Sequence, residues 1–302
     1  MKRIVIAAAN GFIGEYLCDH FSKTYEVIGL VRKSVPSKPN VRYVIWDGIN
    51  LDEWQSELEG AEAVINLAGK SVNCRHTDEN KQGILQSRIE STQVIGQAID
   101  LCKIKPKLWI NASGASIYAY KSERANVEND TAYANSFIAN VSKEWENTFY
   151  AFPYSDVRQV ALRITVVLGR EDGAFPIMNR LAKLWLGGKQ GSGKQMMSWI
   201  HIEDFVSAVD HIVHSEINGS VNMGTPSPVS NAEFMLAIRK ANGRSFGFPT
   251  PEFLLKIGAR FLKTEPSLIL DSMFVEPKVL IDSGFEFNFP TIEKAIGNLI
   301  KS

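Results

Sequence analysis

The chain has 302 residues, and its 33 Lys and Arg residues balance 33 Asp and Glu residues, so the formal net charge is zero. That balance argues against nucleic acid or an anionic membrane as the main partner, and no apolar run approaches the roughly 20 residues of a membrane span. The length suits one large α/β domain with a smaller lobe; Cys18, Cys74 and Cys102, odd in number and without a CxxC pair, fit a reducing compartment, with the cytoplasm as default.

An apolar run over residues 3–8 breaks at Asn10-Gly11 and resumes as Phe12-Ile13-Gly14. This pattern predicts a buried strand turning tightly into a helix over 11–22. Such a turn points free backbone N–H groups and the positive end of a helix dipole at whatever lies above the strand, which favours a phosphate. The apolar run is too short for a secretory signal. Dinucleotide turns usually carry three glycines. Here Ala8 takes the first place, Gly11 leaves room for a pyrophosphate, and Gly14 lets the helix pack on the strand. Ala8, Asn10, Gly11, Phe12, Ile13 and Gly14 are therefore candidate cofactor-binding residues.

Further strands are predicted at 26–31, 41–46 and 63–67, a long helix at 78–102, a strand at 107–112, a helix at 136–149 and a strand at 157–167. Strand and helix in alternation imply right-handed crossovers and a doubly wound parallel sheet. From about Thr225 the texture changes. Ser230 and Glu233 form a capping-box pattern opening a helix that ends at Asn242-Gly243. Thr250-Pro251 opens a second helix, 277–283 reads as a third stopped by Gly284, 285–289 alternates as a half-buried strand, and Thr291 caps a final helix. The expected division is a dinucleotide-binding domain over 1–224, with substrate-side insertions at about 170–200, followed by an α-rich lobe over 225–302.

At the end of the second strand an acidic residue would bind the ribose hydroxyls of NAD, and a basic one the 2′-phosphate of NADP. This chain has Arg32 and Lys33, which favours NADP; the alternative is an ordinary solvated loop. Asp47, closing the third strand, is a candidate for an adenine edge, and Leu67-Ala68-Gly69 after the fourth for close passage along a ribose. Arg163 is read either as a pocket residue or as a structural salt-bridge partner. The segment 188–194 has P-loop glycine and lysine spacing, but Gln195 replaces the Ser or Thr that would hold magnesium, and no strand precedes it. His201, Glu203, Asp204, His211 and His214 are read as structural, with Asp204 in a first helical turn; no metal is assigned.

The turn at 8–14, Asn66-Leu67-Ala68-Gly69, Arg88-Ile89-Glu90-Ser91-Thr92 and the run 162–169 together resemble the short-chain dehydrogenase/reductase superfamily. The runs 191–204 and 226–234, with Glu276-Pro277-Lys278-Val279-Leu280 and Gly284-Phe285, resemble its atypical, nucleoside-diphosphate-sugar epimerase-like branch with a C-terminal extension. The resemblance implies a Rossmann-type NADP-binding domain and a small C-terminal substrate lobe. Working members pair a tyrosine with a lysine four residues later, whose charge lowers the tyrosine pKa. The matching lysine is Lys143, and four residues before it stands Ala139. Aligning Tyr118 with the superfamily's strand-end tyrosine puts Gly114 at the helper-hydroxyl position, so Ser113 is the substitute. Tyr118 is the first replacement phenol and Tyr133 the second; Lys143 is also expected on the nicotinamide ribose. The implied function is an NADP-dependent oxidoreductase or epimerase acting on a small polar or sugar-nucleotide-like substrate. The alternative is a non-catalytic NADP-binding regulatory or scaffold protein.

Overall fold

A strand covered by helices on both faces needs apolar residues at consecutive positions, and β1 (Arg3–Ala7) has four such residues in a row, all buried. In the computed structural model, which describes residues 2–262 and 265–301, the elements that follow are α1 (Phe12–Phe21), β2 (Glu26–Val31), β3 (Val41–Ile45), β4 (Ala63–Asn66), α2 (Asp78–Leu101), β5 (Leu108–Gly114), α3 (Phe137–Tyr150), β6 (Arg158–Ile164) and β7 (Val166–Leu168). Then come α4 (Phe175–Lys183), β8 (Met196–Met197), β9 (Trp199–His201), α5 (Ile202–Val213), β10 (Gly219–Met223), β11 (Val229–Ser230), α6 (Asn231–Ala241), α7 (Glu252–Leu262), α8 (Ser267–Leu270), α9 (Lys278–Asp282) and α10 (Ile292–Lys301).

Seven strands form one parallel sheet in the order β10-β6-β5-β4-β1-β2-β3. Strand order reverses between β1 and β4, so a crevice opens at their carboxyl ends, where ligands of such sheets bind. Ile4 and Ile6 pack with Leu17, Phe21, Phe205 and Val209 under α1 and α5. Their neighbours Val5 and Ala7 face the other way, into the core under α2 and α3 with Ile95, Trp109 and Phe149. Among the described residues no helix is long and apolar enough to cross a membrane.

The second lobe has its own core, but it is not built from 225–302 alone. Phe175 and Met178 of α4 and Trp199 of β9 share that core with Phe234, Ile238, Ile292 and Ile296. Residues of the expected insertion thus form part of the lobe core. The expected strand at 157–167 is two: Thr165 donates its N–H and its hydroxyl to the Met223 carbonyl, and the chain leaves the main sheet there, so that β7 pairs with β9. The Ser230–Glu233 capping box is present, and Gly243 and Gly284 stop their helices at positive φ. Segment 188–194 is an irregular loop running into β8, with Gly193 offering its carbonyl to Ala232 at the start of α6.

The predicted strand at 285–289 is absent. Phe285 and Phe287 do anchor inward against the main core and Phe289 enters the lobe core, but no strand lies alongside. The N–H groups of Asn288 and Phe289 instead go to the two carboxylate oxygens of Asp204, each at 2.8 Å. Asp204 does lie in the first turn of α5, as expected, and fastens the lobe to the sheet domain from there. Beside it His201 caps α5: its Nδ1 accepts from the Glu203 N–H, which leaves Nε2 to donate to Asn298 Oδ1. Its ring stacks on Phe289 with centroids 3.9 Å apart.

Burial lowers the His201 pKa from 6.5 to about 4. The neutral ring is therefore the one the fold favours, and the stability this contributes is full above pH 6.5 and lost as pH falls toward 4. Between pH 7 and 4.5 wild type is expected to lose about 2–3 kcal/mol more than His201→Asn, which keeps a capping side chain. Urea unfolding across that range measures the difference; parallel curves would remove this role.

Candidate cofactor cleft

The turn after β1 is held by one backbone bond, from the Gly11 N–H to the Ala8 carbonyl at 3.0 Å. Gly11 is the N-cap of α1 and supplies no capping side chain; the first helical bond is the one Glu15 donates to Gly11 at 2.9 Å. The N–H groups of Phe12, Ile13 and Gly14 are left without a helical acceptor, at the positive end of the helix. Gly14 has no alternative: a Cβ there would overlap the Ala8 carbonyl oxygen and lie 2.9 Å from the Ala9 Cα. Ala8, in the usual place of the first glycine, adopts φ +59, a left-handed conformation costing about 1–2 kcal/mol for a residue with a Cβ. Phe12 packs edge-on beneath Gly169 and Gly173, where added Cβ atoms would come within 2.5 and 3.3 Å of its ring. Asn10 is exposed at the bend.

At the far end of the crevice Arg32 lines a cavity of about 400 Å³ with Trp46, Asp47, Asn50 and Trp54. Arg32 has no carboxylate within ion-pair distance among the described residues; Lys33 is exposed and does not line the cavity. Asp47 is in the wall, but its carboxylate is spent on its own turn, accepting the N–H groups of Ile49 and Asn50 at 2.8 Å and the Asn50 amide at 2.7 Å. Those bonds hold its pKa below the ordinary carboxylate value. Its Oδ2 accepts only one of those bonds, and the side chain lines the cavity.

Between these ends, the β4 terminus is fixed by buried polar groups. Asn66 accepts from the Ala68 N–H at 3.0 Å and donates to Asn111 at 2.8 Å; Thr92 bridges to both asparagines and accepts from the Trp145 indole at 2.9 Å. Leu67 donates to the Ala7 carbonyl, which ties this terminus to that of β1, and Gly69 lies against the guanidinium of Arg88.

The expected catalytic residues are placed otherwise. Ser113 is buried and donates to Glu146 Oε1 at 2.7 Å. Tyr118 is buried, donates to Asn222 at 2.9 Å and accepts from Arg163 at 2.5 Å; burial pushes its pKa up to about 12, the wrong direction for a proton donor near neutrality. Arg163 combines its two readings: it is paired through two nitrogens with Glu146 at 2.8 and 2.9 Å, and it also lines a cavity. Lys143 lines a separate cavity of about 670 Å³ beside the β10 edge, with Glu128, Tyr133, Tyr150 and Ser220, its ammonium 5.7 Å from the Tyr133 ring centroid. The residue of α3 that meets the β5 terminus is Ser142, one position and about 100° around the helix. Its Oγ is 3.5 Å from Ser116 Oγ and would be 2.7 Å from a Cβ on Gly114. The two serine hydroxyls thus fill the place of the helper side chain. The signal that could have found them is Glu146, whose bonds to Ser113 and Arg163 set the rotation of α3.

Among the described residues no group of three or more metal-ligating side chains converges; His211 bonds to Ser283 and His214 to Tyr25. In urea unfolding, Ala8→Gly is expected to raise stability by about 1 kcal/mol by relieving the left-handed alanine. Gly14→Ala should lower it by about 3 kcal/mol through overlap with the turn. Equal stabilities would contradict the turn geometry.

The NAD dependent epimerase/dehydratase family model matches residues 4–224, and a domain of unknown function, DUF1731, matches 250–299. The chain is 32% identical to the epimerase family protein YfhF of Bacillus subtilis over 303 residues, covering 98% of this chain and 97% of that one. It is 30% identical to the epimerase family protein SSP1921 of Staphylococcus saprophyticus, covering 99% and 100%. Among solved structures, the human epimerase family protein SDR39U1 with NADPH superposes with a TM-score of 0.88 at 29% identity, covering 99% of each chain. MoeE5 with UDP-glucuronic acid and NAD, at 20% identity and a TM-score of 0.76, shares the fold. The chain belongs to the NAD dependent epimerase/dehydratase family, with a DUF1731 region at its C-terminal end.

Proposed function

We propose that the chain binds NADP(H) along the carboxyl edge of its sheet and acts as an oxidoreductase or epimerase on a small polar, sugar-nucleotide-like substrate. The observation that carries this reading is the open N-terminus of α1, three N–H groups facing the switch point with no protein acceptor. The N–H groups of Phe12, Ile13 and Gly14 would hold the diphosphate, Arg32 the 2′-phosphate, the 47–50 turn and Trp46 the adenine, and Ala68-Gly69 a ribose. The NADPH in the human relative supports the choice of dinucleotide, and the sugar nucleotides held by more distant members support the substrate class. A cytoplasmic location goes with this reading, in keeping with three free cysteines.

When bound, the cofactor supplies or takes up a hydride at its nicotinamide ring. The chain's own part is to orient that ring, keep water away and move one proton. Ala139 carries no proton, Tyr118 and Ser113 are engaged elsewhere, and Lys143 lines the cavity beside β10. In this reading the proton path runs through Ser116 and Ser142. The same engagement of the expected groups favours a second reading, an NADP-binding regulatory or scaffold protein without turnover.

Fluorescence titration is expected to give NADPH at least a tenfold advantage over NADH, most of it lost in Arg32→Ala, since a hydrogen bond to a charged group contributes about 1.5–3 kcal/mol. If neither cofactor shifts emission at millimolar concentration, both readings fall. Nicotinamide absorbance with a panel of sugar nucleotides then separates them: turnover abolished in Ser142→Ala supports the enzyme, and tight NADPH binding with no turnover supports the module.

A further inference from the structure

Arg88 sits on α2 at the β4 terminus, and the neighbouring sequence is arranged around it. Its guanidinium lies over the Trp145 ring, 4.9 Å from the centroid, and Trp145 is itself held by Thr92 of the buried asparagine network. A Cβ on Gly69 would stand 3.1 Å from the guanidinium carbon, so a side chain there would press on the Arg88 fork. One nitrogen, Nη1, donates to the carbonyls of Lys70 at 2.9 Å and Ile84 at 2.8 Å. Nε and Nη2 make no hydrogen bond among the described residues, and no carboxylate lies within ion-pair distance.

The contrast with the other covered arginines is informative. Arg163 is neutralised by Glu146. Arg158 places two nitrogens on the carbonyls of Ile212, Val213 and Ile217 at the end of α5. Arg88 has no carboxylate and commits only one of its nitrogens to carbonyls, and desolvation with no compensating charge brings its pKa down to about 10. A largely covered cation without a counter-charge costs stability, and the expense is recovered when an anion arrives. Lys70, Arg75 and Lys81 on the same loop and helix start also lack ion pairs among the described residues, while Asp78 and Glu79 there are exposed.

We propose that Arg88 is an oxyanion-binding residue of the cleft, its free fork receiving a phosphate or carboxylate group that lies over the Ala68-Gly69 turn. This inference rests on the cofactor-cleft reading of the sheet edge and deepens it: the ligand handled there is an acid. Planar, two-pronged recognition is what a guanidinium provides and an ammonium does not. The oxyanion has two sources, the cofactor's diphosphate or the substrate's own acidic group.

Calorimetry with NADPH and thermal shifts with inorganic phosphate and malonate on NADPH-saturated protein distinguish them, using wild type, Arg88→Gln and Arg88→Lys. A tenfold or greater loss of NADPH affinity in Arg88→Gln, larger than in Arg88→Lys, assigns the site to the cofactor's diphosphate. NADPH affinity unchanged within twofold, with the phosphate or malonate shift of wild type lost in Arg88→Gln, assigns it to the substrate. If NADPH affinity is unchanged and neither anion stabilises wild type, or both stabilise wild type and variants alike, the proposal is overturned. Should Arg88→Gln not fold, the same criteria apply to Arg88→Lys, which keeps the charge and loses the fork. Failure of wild type to bind NADPH defeats the cofactor reading instead, and the anion shifts on unliganded protein then decide the role of Arg88.

Discussion

The approach of α1 to the end of β1 is the contact on which the rest of the cleft depends. Gly14 sits so near the Ala8 carbonyl that no side chain fits, and that proximity aims the helix N-terminus along the crevice between β1 and β4. A parallel sheet cannot leave its carboxyl edge free of loops, since every crossover begins there. The short turn between β1 and α1 keeps the edge open at that point. The left-handed alanine is a local strain tolerated because the Gly11 to Ala8 bond, the Phe12 packing and the helix dipole all require the same bend.

Around this bend the polar interior is divided between structure and availability. Asn66, Asn111, Thr92 and Trp145 satisfy one another and make a rigid floor. Arg163, Glu146, Ser113, Tyr118 and Asn222 make a second closed network that joins α3 to β5, β6 and β10. Closed networks of this kind fix geometry and contribute no free donors. Among the described residues the groups left for ligands include the three N–H groups of α1, Arg32, the Ser116 hydroxyl, the Ser142 oxygen, whose proton goes to the Ile138 carbonyl, and the fork of Arg88. Every one of them stands on the same edge of the sheet.

Local signals in the sequence were legible where a residue's role is set by its own neighbours. The strand, turn and helix at 3–14 followed from apolar runs and glycine spacing, and the Ser230 cap from four residues. Roles set by tertiary contact were not legible. A lysine beside a serine on α3 gives two helix phases one residue apart, and Glu146, held by Arg163 from a different strand, decides between them. Alternation at 285–289 reads as a strand because the inward phenylalanines are real, while the competing acceptor for its backbone, Asp204, lies some eighty residues earlier. Arg88 carried no local mark of being unpaired, because the absence of a counter-ion is a property of the folded neighbourhood.

Amide hydrogen exchange with and without NADPH tests the central claim most directly, since it reads the backbone donors themselves. Saturating NADPH should slow exchange most at Phe12, Ile13 and Gly14, with a smaller slowing at Ala68 and Gly69, and leave the 670 Å³ cavity beside Lys143 unchanged. NADPH binding that leaves the α1 amides exchanging as before, or that protects the Lys143 cavity instead, would contradict it.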